Sequence, residues 1–284
     1  MKNTLHQPTR GGVLTTRHHT PIRLHYEERG DGPRVLYISG TGADLRVKPG
    51  VLDSPITQHL QVLAYDQRGL GQSEIPAGPY TMAQYADDAA ALLEEKGWPK
   101  AHVIGVSFGG MVALNLAIRH PRVIDRLVLC CTSPGGSAPS YPLHKVDPDL
   151  SPADRVRFML EINDTRRNEA WQRAHPDKVQ TIINHTLAAR DGIPTDVLTQ
   201  TGAKLQLAAR SEHDVVDQLR QIDHPTLICG GLYDGMAPAE NQYAMASAMP
   251  NAELAWFAGG HLFMIQDKSA WPAINTFLTR PRLS

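Results

Sequence analysis

A serine flanked by two glycines, Gly105-Val106-Ser107-Phe108-Gly109, lies where an apolar, β-branched run ends and a helical run begins. We expect a strand that ends near Gly105 and a helix over residues 111–120. The turn between them must be tight, because a Cβ at either glycine would clash with the neighbouring strand or helix. Such a turn holds the Ser107 hydroxyl at the carboxyl end of the strand, where the free N–H groups of the helix also point. The rest of the chain is organised around this strand–turn–helix unit.

Strands and helices alternate on both sides of the unit. Short apolar runs predict strands, whereas residues 81–97 carry apolar side chains at helical spacing. This alternation indicates an α/β fold with a mostly parallel sheet of eight strands, flanked by helices. The other predicted strands are 13–17, 22–28, 35–38, 62–66, 124–132, 225–231 and 253–257, and further helices are predicted at 52–60, 239–249 and 268–278.

The pattern changes after residue 133, because no strong strand signal follows until about residue 215. This stretch opens with a Pro/Gly/Ser-rich segment and continues as amphipathic helical runs at 152–175, 176–190 and 194–209. We interpret it as a helical cap inserted over the carboxyl edge of the sheet. Residues 137–215 are predicted to form this cap, and residues 1–136 and 216–284 the core.

A serine hydroxyl is a poor nucleophile at neutral pH and needs a base within hydrogen-bond reach, which in turn needs a carboxylate. Both should come from loops at the carboxyl ends of strands, where open α/β sheets place their sites. His261 and Asp234 each follow a predicted strand directly. We therefore predict Ser107 as nucleophile, His261 as base and Asp234 as its partner. Asp267 is a rival carboxylate, and Asp234, which precedes a glycine, could instead be a turn residue.

These motifs resemble those of the α/β-hydrolase superfamily over almost the whole chain. The serine turn matches the family's nucleophile elbow, and residues 66–73 resemble its Asp-x-Arg-Gly-x-Gly-x-Ser turn. The tail over residues 260–278 resembles 3-oxoadipate enol-lactonases and small microbial carboxylesterases. The resemblance implies the α/β-hydrolase fold with the chain order Ser, Asp, His. It argues against epoxide hydrolases and haloalkane dehalogenases, which carry Asp where this chain has Ser107.

An oxyanion hole needs two N–H donors near the serine. One is predicted to be Phe108, directly after the nucleophile, and the other Thr41 in the turn Ser39-Gly40-Thr41-Gly42, with Gly42 as an alternative. Relatives usually have His-Gly in this turn, where this chain has Ser39-Gly40. The substrate pocket is expected between the elbow and the cap. The residues predicted to line it are Met111, Phe158, Met159, Leu262 and Phe263.

The leading hypothesis is a serine hydrolase that cleaves a carboxylic ester or lactone of a small, mainly apolar substrate through an acyl-enzyme. No cofactor or metal is implied. The alternative on the same triad is a C–C bond hydrolase or a cofactor-free haloperoxidase or perhydrolase. A binding protein that keeps the fold without turnover is the alternative from another class.

Composition excludes some partners and suggests a compartment. The net charge of −1 gives no electrostatic footprint for nucleic acid or an anionic membrane. We see no apolar run long enough to span a bilayer and no apolar signal core at the start. Cys130, Cys131 and Cys229 lie in apolar runs, which is typical of buried thiols in a reducing compartment. We expect a cytoplasmic monomer or homodimer.

Overall fold

The computed structural model describes residues 8–17 and 21–281. The outer ends of the predicted core, 1–7 and 282–284, lie outside the described residues. The strands are β1 (Arg10–Thr15), β2 (Arg23–Arg29), β3 (Arg34–Ile38), β4 (Gln61–Tyr65), β5 (Ala101–Val106), β6 (Ile124–Cys130), β7 (Thr226–Gly231) and β8 (Ala252–Phe257).

These strands form one sheet in the order β1-β2-β4-β3-β5-β6-β7-β8. Only the pairings of β2 with β1 and with β4 are antiparallel among the described strand pairs. The remaining pairs are parallel. The predicted mostly parallel sheet of eight strands is therefore confirmed, and the carboxyl ends of β3 to β8 lie along one edge.

Helices cover the sheet and also fill the long connection between β6 and β7. They are α1 (Met82–Glu95), α2 (Phe108–Arg119), α3 (Pro152–Asn163), α4 (Glu169–Ala174), α5 (Pro176–Ala188), α6 (Val197–Ser211), α7 (Ala239–Ala248), α8 (Phe263–Gln266) and α9 (Ala270–Thr279). No helix of the described chain combines the length and the apolar composition needed to cross a bilayer.

Side chains of the central strands alternate between two buried layers, because successive residues of a strand point to opposite faces. Leu36 and Val103 pack in the layer that includes α1 and α2. Val35 and Ile104 pack in the layer that includes α9. Burial on both faces explains why these strands read as continuous apolar runs. Cys130, Cys131 and Cys229 are free thiols buried in the second of these layers.

Two predicted helices differ from the observed ones. The run 152–175 is divided into α3 and α4. Asp164 ends α3, and its carboxylate accepts the Arg166 N–H, so the helix does not continue. The predicted short helix at 52–60 consists of two 3-10 turns, Val51–Asp53 and Pro55–Gln58. Pro55 begins the second turn and lacks the N–H that a continuous helix would need.

The connection that holds α3 to α6 leaves and re-enters the core at one place. Gly135 pairs with Asp214 in an isolated bridge, and the Val215 N–H donates to the Pro134 carbonyl at 2.9 Å. Residues at the two ends of the connection are thus neighbours in space, as an insertion requires. This pairing supports the predicted cap boundaries of 137 and 215, which stay a prediction.

Gly109, in the first turn of α2, tests how closely this helix approaches the sheet. A Cβ at Gly109 would lie 2.0 Å from the Ile38 carbonyl oxygen, far inside van der Waals contact. We expect Gly109→Ala to lower the free energy of unfolding by about 3 kcal/mol or more, since the helix must move away from β3. Chemical denaturation measures this change.

Gly50→Ala is the control for this substitution. Its Cβ would lie 3.6 Å from the Val47 carbonyl oxygen, an ordinary contact, and Gly50 has an extended φ of −111°. The control should unfold within about 1 kcal/mol of the parent. Equal stability of the Gly109→Ala variant and the parent would show that α2 does not pack this closely.

Candidate active site

Ser107 occupies a strained turn between β5 and α2. Its φ is 55° and its ψ is −118°, a backbone conformation that costs free energy for any residue with a side chain. The Ser107 N–H donates to Cys130 O at 2.9 Å, and Thr132 Oγ1 donates to Ser107 O at 2.6 Å. A Cβ at Gly105 would lie 2.5 Å from Gly109 O, which explains the need for glycine there. Neighbouring hydrogen bonds and close packing therefore hold the hydroxyl in place.

His261 connects Ser107 with Asp234. Its Nε2 lies 2.9 Å from Ser107 Oγ, and its Nδ1 lies 2.9 Å from Asp234 Oδ2. The second carboxylate oxygen of Asp234 accepts the N–H groups of Met236 at 2.8 Å and Ala237 at 2.9 Å. The Asp234 side chain is fully buried. The structure thus brings together the three residues that were predicted to form the triad, in one line of hydrogen bonds.

Asp267, the rival carboxylate, is engaged elsewhere. Its Oδ2 accepts the Ala258 N–H at 2.8 Å, and its Oδ1 accepts the N–H and the hydroxyl of Ser269 at 2.9 and 2.6 Å. These hydrogen bonds hold the pKa of Asp267 below its usual value. Asp267 therefore orders the loop after β8 and the start of α9, and Asp234 is the carboxylate at His261.

The turn that follows β3 lies directly against Ser107. A Cβ at Gly40 would lie 3.4 Å from Ser107 Cβ, an approach that a larger residue would hinder. The Gly42 N–H already donates to Gln206 Oε1 at 2.8 Å. By contrast, the amide N–H groups of Thr41 and Phe108 donate to no other residue in the described part of the chain. This difference favours Thr41 over Gly42 as the predicted second oxyanion donor.

Two residues of the α3–α6 connection reach the site and were not predicted. Asn163, at the end of α3, accepts the His261 N–H on its carbonyl oxygen at 2.6 Å. Gln206 of α6 is fully buried and holds the Thr41–Gly42 turn through the contact described above. Neither residue belongs to a recognisable motif, and both contacts join positions far apart in the chain. The insertion therefore helps to position both the imidazole and the turn.

The Asp-x-Arg-Gly turn, at residues 66–69, forms hydrogen bonds with the segment that follows β3. Asp66 Oδ1 accepts the Leu45 N–H at 2.8 Å, and Gln67 Nε2 donates to Ser39 O at 2.8 Å. Burial raises the pKa of Asp66 to about 6. The turn resembling the family motif thus has a structural role here, since it holds the backbone at Ser39 and at Leu45, on either side of the Gly40–Thr41 segment.

Cys131 lies beside the triad and raises the question of a metal site. Within the described residues, the ligand atoms of Cys131, Asp234 and His261 all lie within 4.8 Å of one another. Burial, together with the Asp234 charge, raises the pKa of the Cys131 thiol well above its usual value. Both oxygens of Asp234 already accept hydrogen bonds. A metal ion would need a thiolate and would break the Asp234–His261 contact, so the donor set fits a hydrogen-bonded triad better.

A cavity of about 920 Å³ opens onto Ser107 and His261. Its walls are mainly apolar, and Met159 and Leu262 line it as predicted. Further apolar lining residues are Leu45, Val51, Leu143, Met236, Ile265 and Trp271. Charged groups also line it, among them Lys48, Arg190 and Lys268. The cavity is thus an apolar space with several charged groups at its walls, within the size range of small-molecule sites.

The other three predicted pocket residues lie elsewhere, which corrects the prediction. Phe263 is fully buried and stacks on Phe257 with ring centroids 4.9 Å apart, so it belongs to the core. Phe158 packs edge-on against Tyr141 at 6.1 Å and is not among the described residues that line the cavity. Met111 lines a smaller neighbouring cavity. These residues were predicted from their apolar character and their place near the elbow or the cap, which does not show which interior surface they contact.

Comparison with known proteins identifies the family. A family model described as the alpha/beta hydrolase fold matches residues 33–268. A putative carbamate hydrolase RutD from Caulobacter vibrioides is 33% identical over 278 residues, which covers 90% of this chain and 95% of the relative. A 2-hydroxymuconate semialdehyde hydrolase from Pseudomonas putida is 29% identical over 255 residues and covers 86% of each chain.

Solved structures show the same architecture. The enol-lactonase from Burkholderia xenovorans LB400 superposes with a TM-score of 0.75 at 23% identity, covering 95% of this chain and 100% of its own, a likeness of fold alone. A thermophilic esterase from Thermogutta terrifontis gives a TM-score of 0.70 at 27% identity, covering 95% of this chain and 98% of its own. The predicted fold is confirmed, and the chain belongs to the α/β-hydrolase family.

Proposed function

We propose that this protein is a serine hydrolase that cleaves a carboxylic ester or lactone through an acyl-enzyme. Membership of the family and the names of the relatives support hydrolase activity. The observation that carries the finer proposal is the line of hydrogen bonds from Asp234 through His261 to Ser107, each 2.9 Å long. The N–H groups of Thr41 and Phe108 have no acceptor among the described residues, Phe108 directly follows Ser107, and Thr41 lines the same cavity as Ser107.

In the first half-reaction, Ser107 Oγ attacks the substrate carbonyl carbon and forms a C–O bond. His261 Nε2 takes the hydroxyl proton. Asp234 stabilises the resulting imidazolium and accepts a hydrogen bond from the proton that stays on Nδ1. The N–H groups of Thr41 and Phe108 stabilise the oxyanion. The intermediate then expels the alkoxide, which receives the proton from His261 Nε2. For a lactone, the alcohol and the acyl group stay on one molecule.

In the second half-reaction, water takes the place of the alcohol. His261 accepts a proton from the water as its oxygen attacks the acyl carbon. The tetrahedral intermediate collapses, the bond to Ser107 Oγ breaks, and the serine recovers its proton from the imidazolium. The products are a carboxylic acid and an alcohol, or a hydroxy acid from a lactone. The strained turn and the buried carboxylate keep these groups in position for both halves.

A substrate panel and an active-site probe test the proposal. We expect a fluorophosphonate to label Ser107 in the folded protein, and p-nitrophenyl esters of short acyl chains or simple lactones to turn over. A carbamate ester belongs in the panel because a relative is named a putative carbamate hydrolase. Turnover of a β-diketone alone would favour C–C bond hydrolysis. Absence of both labelling and turnover would favour the binding protein.

A further inference from the structure

Arg210, in the last turn of α6, is a buried cation that pairs with no carboxylate in the described part of the chain. It is 6% exposed. Its Nη1 donates to Tyr141 O at 2.9 Å, and its Nη2 donates to Ser140 Oγ at 2.7 Å and lies 3.7 Å from Met236 Sδ. Its Nε has no hydrogen-bond partner among the described residues. Among the described residues, the groups that contact the guanidinium through these bonds are all neutral.

Four other arginines show how this side chain pairs with a carboxylate, whereas the buried Arg126 donates to backbone carbonyls. In each of four cases, Nε and Nη2 lie side by side against an aspartate carboxylate. These pairs are Arg46–Asp44, Arg68–Asp88, Arg119–Asp87 and Arg166–Asp164. At Arg210, Nε has no acceptor among the described residues, and Nη2 contacts only a hydroxyl and a thioether. Thioether sulfur is a weak acceptor, so these two donors lack the carboxylate that they have in the four pairs.

Burial makes the missing partner costly. A charge removed from water is destabilising unless an opposite charge and hydrogen bonds offset the lost hydration. Burial lowers the pKa of Arg210 to about 10, which still leaves the guanidinium protonated at neutral pH. A bound anion would supply the charge and the acceptors that the protein does not.

A cavity of about 350 Å³ lies next to this guanidinium. Ser133, Ser140 and His213 also line it. Burial lowers the pKa of His213 to about 4, so its imidazole is neutral at pH 7. Glu212 and Asp214 line the cavity as well, but both are exposed and neither contacts Arg210 among the described ion pairs. The volume is that of a small ligand site.

The position of Met236 relates this cavity to the catalytic one. Met236 lines the catalytic cavity, and its sulfur contacts Arg210 Nη2. Its backbone N–H is held by Asp234 Oδ1 at 2.8 Å. Met236 thus contacts the guanidinium at Nη2 and also lines the catalytic cavity, and its thioether lies beside one of the two donors with which other arginines hold a carboxylate.

We propose that Arg210 and the adjoining cavity form a binding site for a small organic carboxylate. The carboxylate takes the place of the Met236 thioether, pairs with Nε and Nη2 in the geometry of the four internal pairs, and accepts a further hydrogen bond from Ser140. Methionine is flexible enough to make room without moving its anchored backbone. The site needs no catalysis and stands apart from the proposed hydrolytic function.

Binding of succinate or acetate to the full chain tests the site. Each sodium salt is compared with sodium chloride at equal ionic strength and pH 7. At a concentration about 100 times Kd, a ligand of the folded state raises the melting temperature of a protein of this size by about 5 °C. With at least one of the two carboxylates, we expect a rise of this kind that grows with the logarithm of the carboxylate concentration above Kd, and calorimetry then gives its affinity.

Variants assign the effect to Arg210. Arg210→Lys keeps the charge but loses the side-by-side donors, and Arg210→Gln loses both, so each should weaken binding at least about tenfold. Arg155→Gln is the matched control. Arg155, like Arg210, donates only to neutral groups among its described hydrogen bonds, but these are two backbone carbonyls at the surface, Asp147 O at 2.9 Å and Pro148 O at 3.2 Å. It should bind like the parent.

Two results would overturn the proposal. One is the absence of a carboxylate-specific response in the parent protein with both salts. The other is equal affinity in the parent and the Arg210 variants, which would place the carboxylate elsewhere, for example at the oxyanion donors. If Arg210→Gln does not fold, Arg210→Lys decides, because it retains the buried cation.

Discussion

Ser107→Ala is expected to lower kcat for a short-chain p-nitrophenyl ester about a million-fold. The substitution removes the proposed nucleophile, the hydroxyl oxygen that lies 2.9 Å from His261 Nε2. Alanine keeps the Cβ and therefore the packing against Gly40. The backbone strain at φ 55° is unchanged, because alanine has the same conformational limits as serine. The melting temperature should stay within a few degrees of the parent's.

Ser54→Ala is the control for loss of a hydroxyl. The Ser54 hydroxyl donates to the Val51 carbonyl oxygen and has no contact with His261 among the described hydrogen bonds. We expect its kcat to stay within about tenfold of the parent's. A Ser107→Ala variant with parental kcat would remove Ser107 from the mechanism. Loss of fluorophosphonate labelling in the same variant would identify the labelled atom independently of turnover.

The strand–turn–helix unit at Ser107 was predictable because its information is local. Close contacts with the adjacent helix and strand require glycine at 105 and at 109. The two glycines around Ser107 therefore indicate the tight turn from the sequence alone. His261 and Asp234 were predictable for a different reason. Each directly follows a strand of a parallel sheet, and such a sheet brings the carboxyl ends of its strands to one edge.

Contacts made by the insertion could not be predicted in the same way. Asn163 and Gln206 reach the site through a carbonyl oxygen and a side-chain amide, groups that nearly any sequence could provide. Their positions depend on where α3 ends and on how α6 lies against the core. The apolar pattern over 152–175 continued through the break at Asp164, so it concealed the turn that presents Asn163 to His261.

The residues that line the cavities could not be predicted from the spacing of apolar residues either. A helical pattern shows which side of an element is buried but not whether that side meets packed core or an open cavity. Phe263 stacks on Phe257 in the core, Met111 lines the smaller cavity, and Met159 lines the catalytic cavity. The surroundings of Arg210 were also unpredictable, because the sequence does not show which arginines pair with a carboxylate in the folded chain.

Asp234→Asn tests the role of the buried carboxylate and is expected to lower kcat about 10⁴-fold at neutral pH. Oδ1 accepts the N–H groups of Met236 and Ala237, so the carbonyl oxygen of the new amide must occupy that position. The amide NH₂ then faces His261 Nδ1. An NH₂ group can only donate, so Nδ1 must accept and the imidazole proton moves to Nε2. In that tautomer Nε2 cannot take the proton of Ser107.

Asp267→Asn distinguishes this tautomer effect from a general loss of negative charge near the site. Asp267 lies six residues after His261 in the sequence but accepts its hydrogen bonds from Ala258 and Ser269. Its substitution should leave kcat within about tenfold of the parent's and affect mainly the melting temperature. The rate of fluorophosphonate labelling should fall in Asp234→Asn and not in Asp267→Asn, since labelling also needs an activated hydroxyl. The reverse order of the two variants would mean that the imidazole turns to Asp267 during the reaction, and the carboxylate assignment would then have to change.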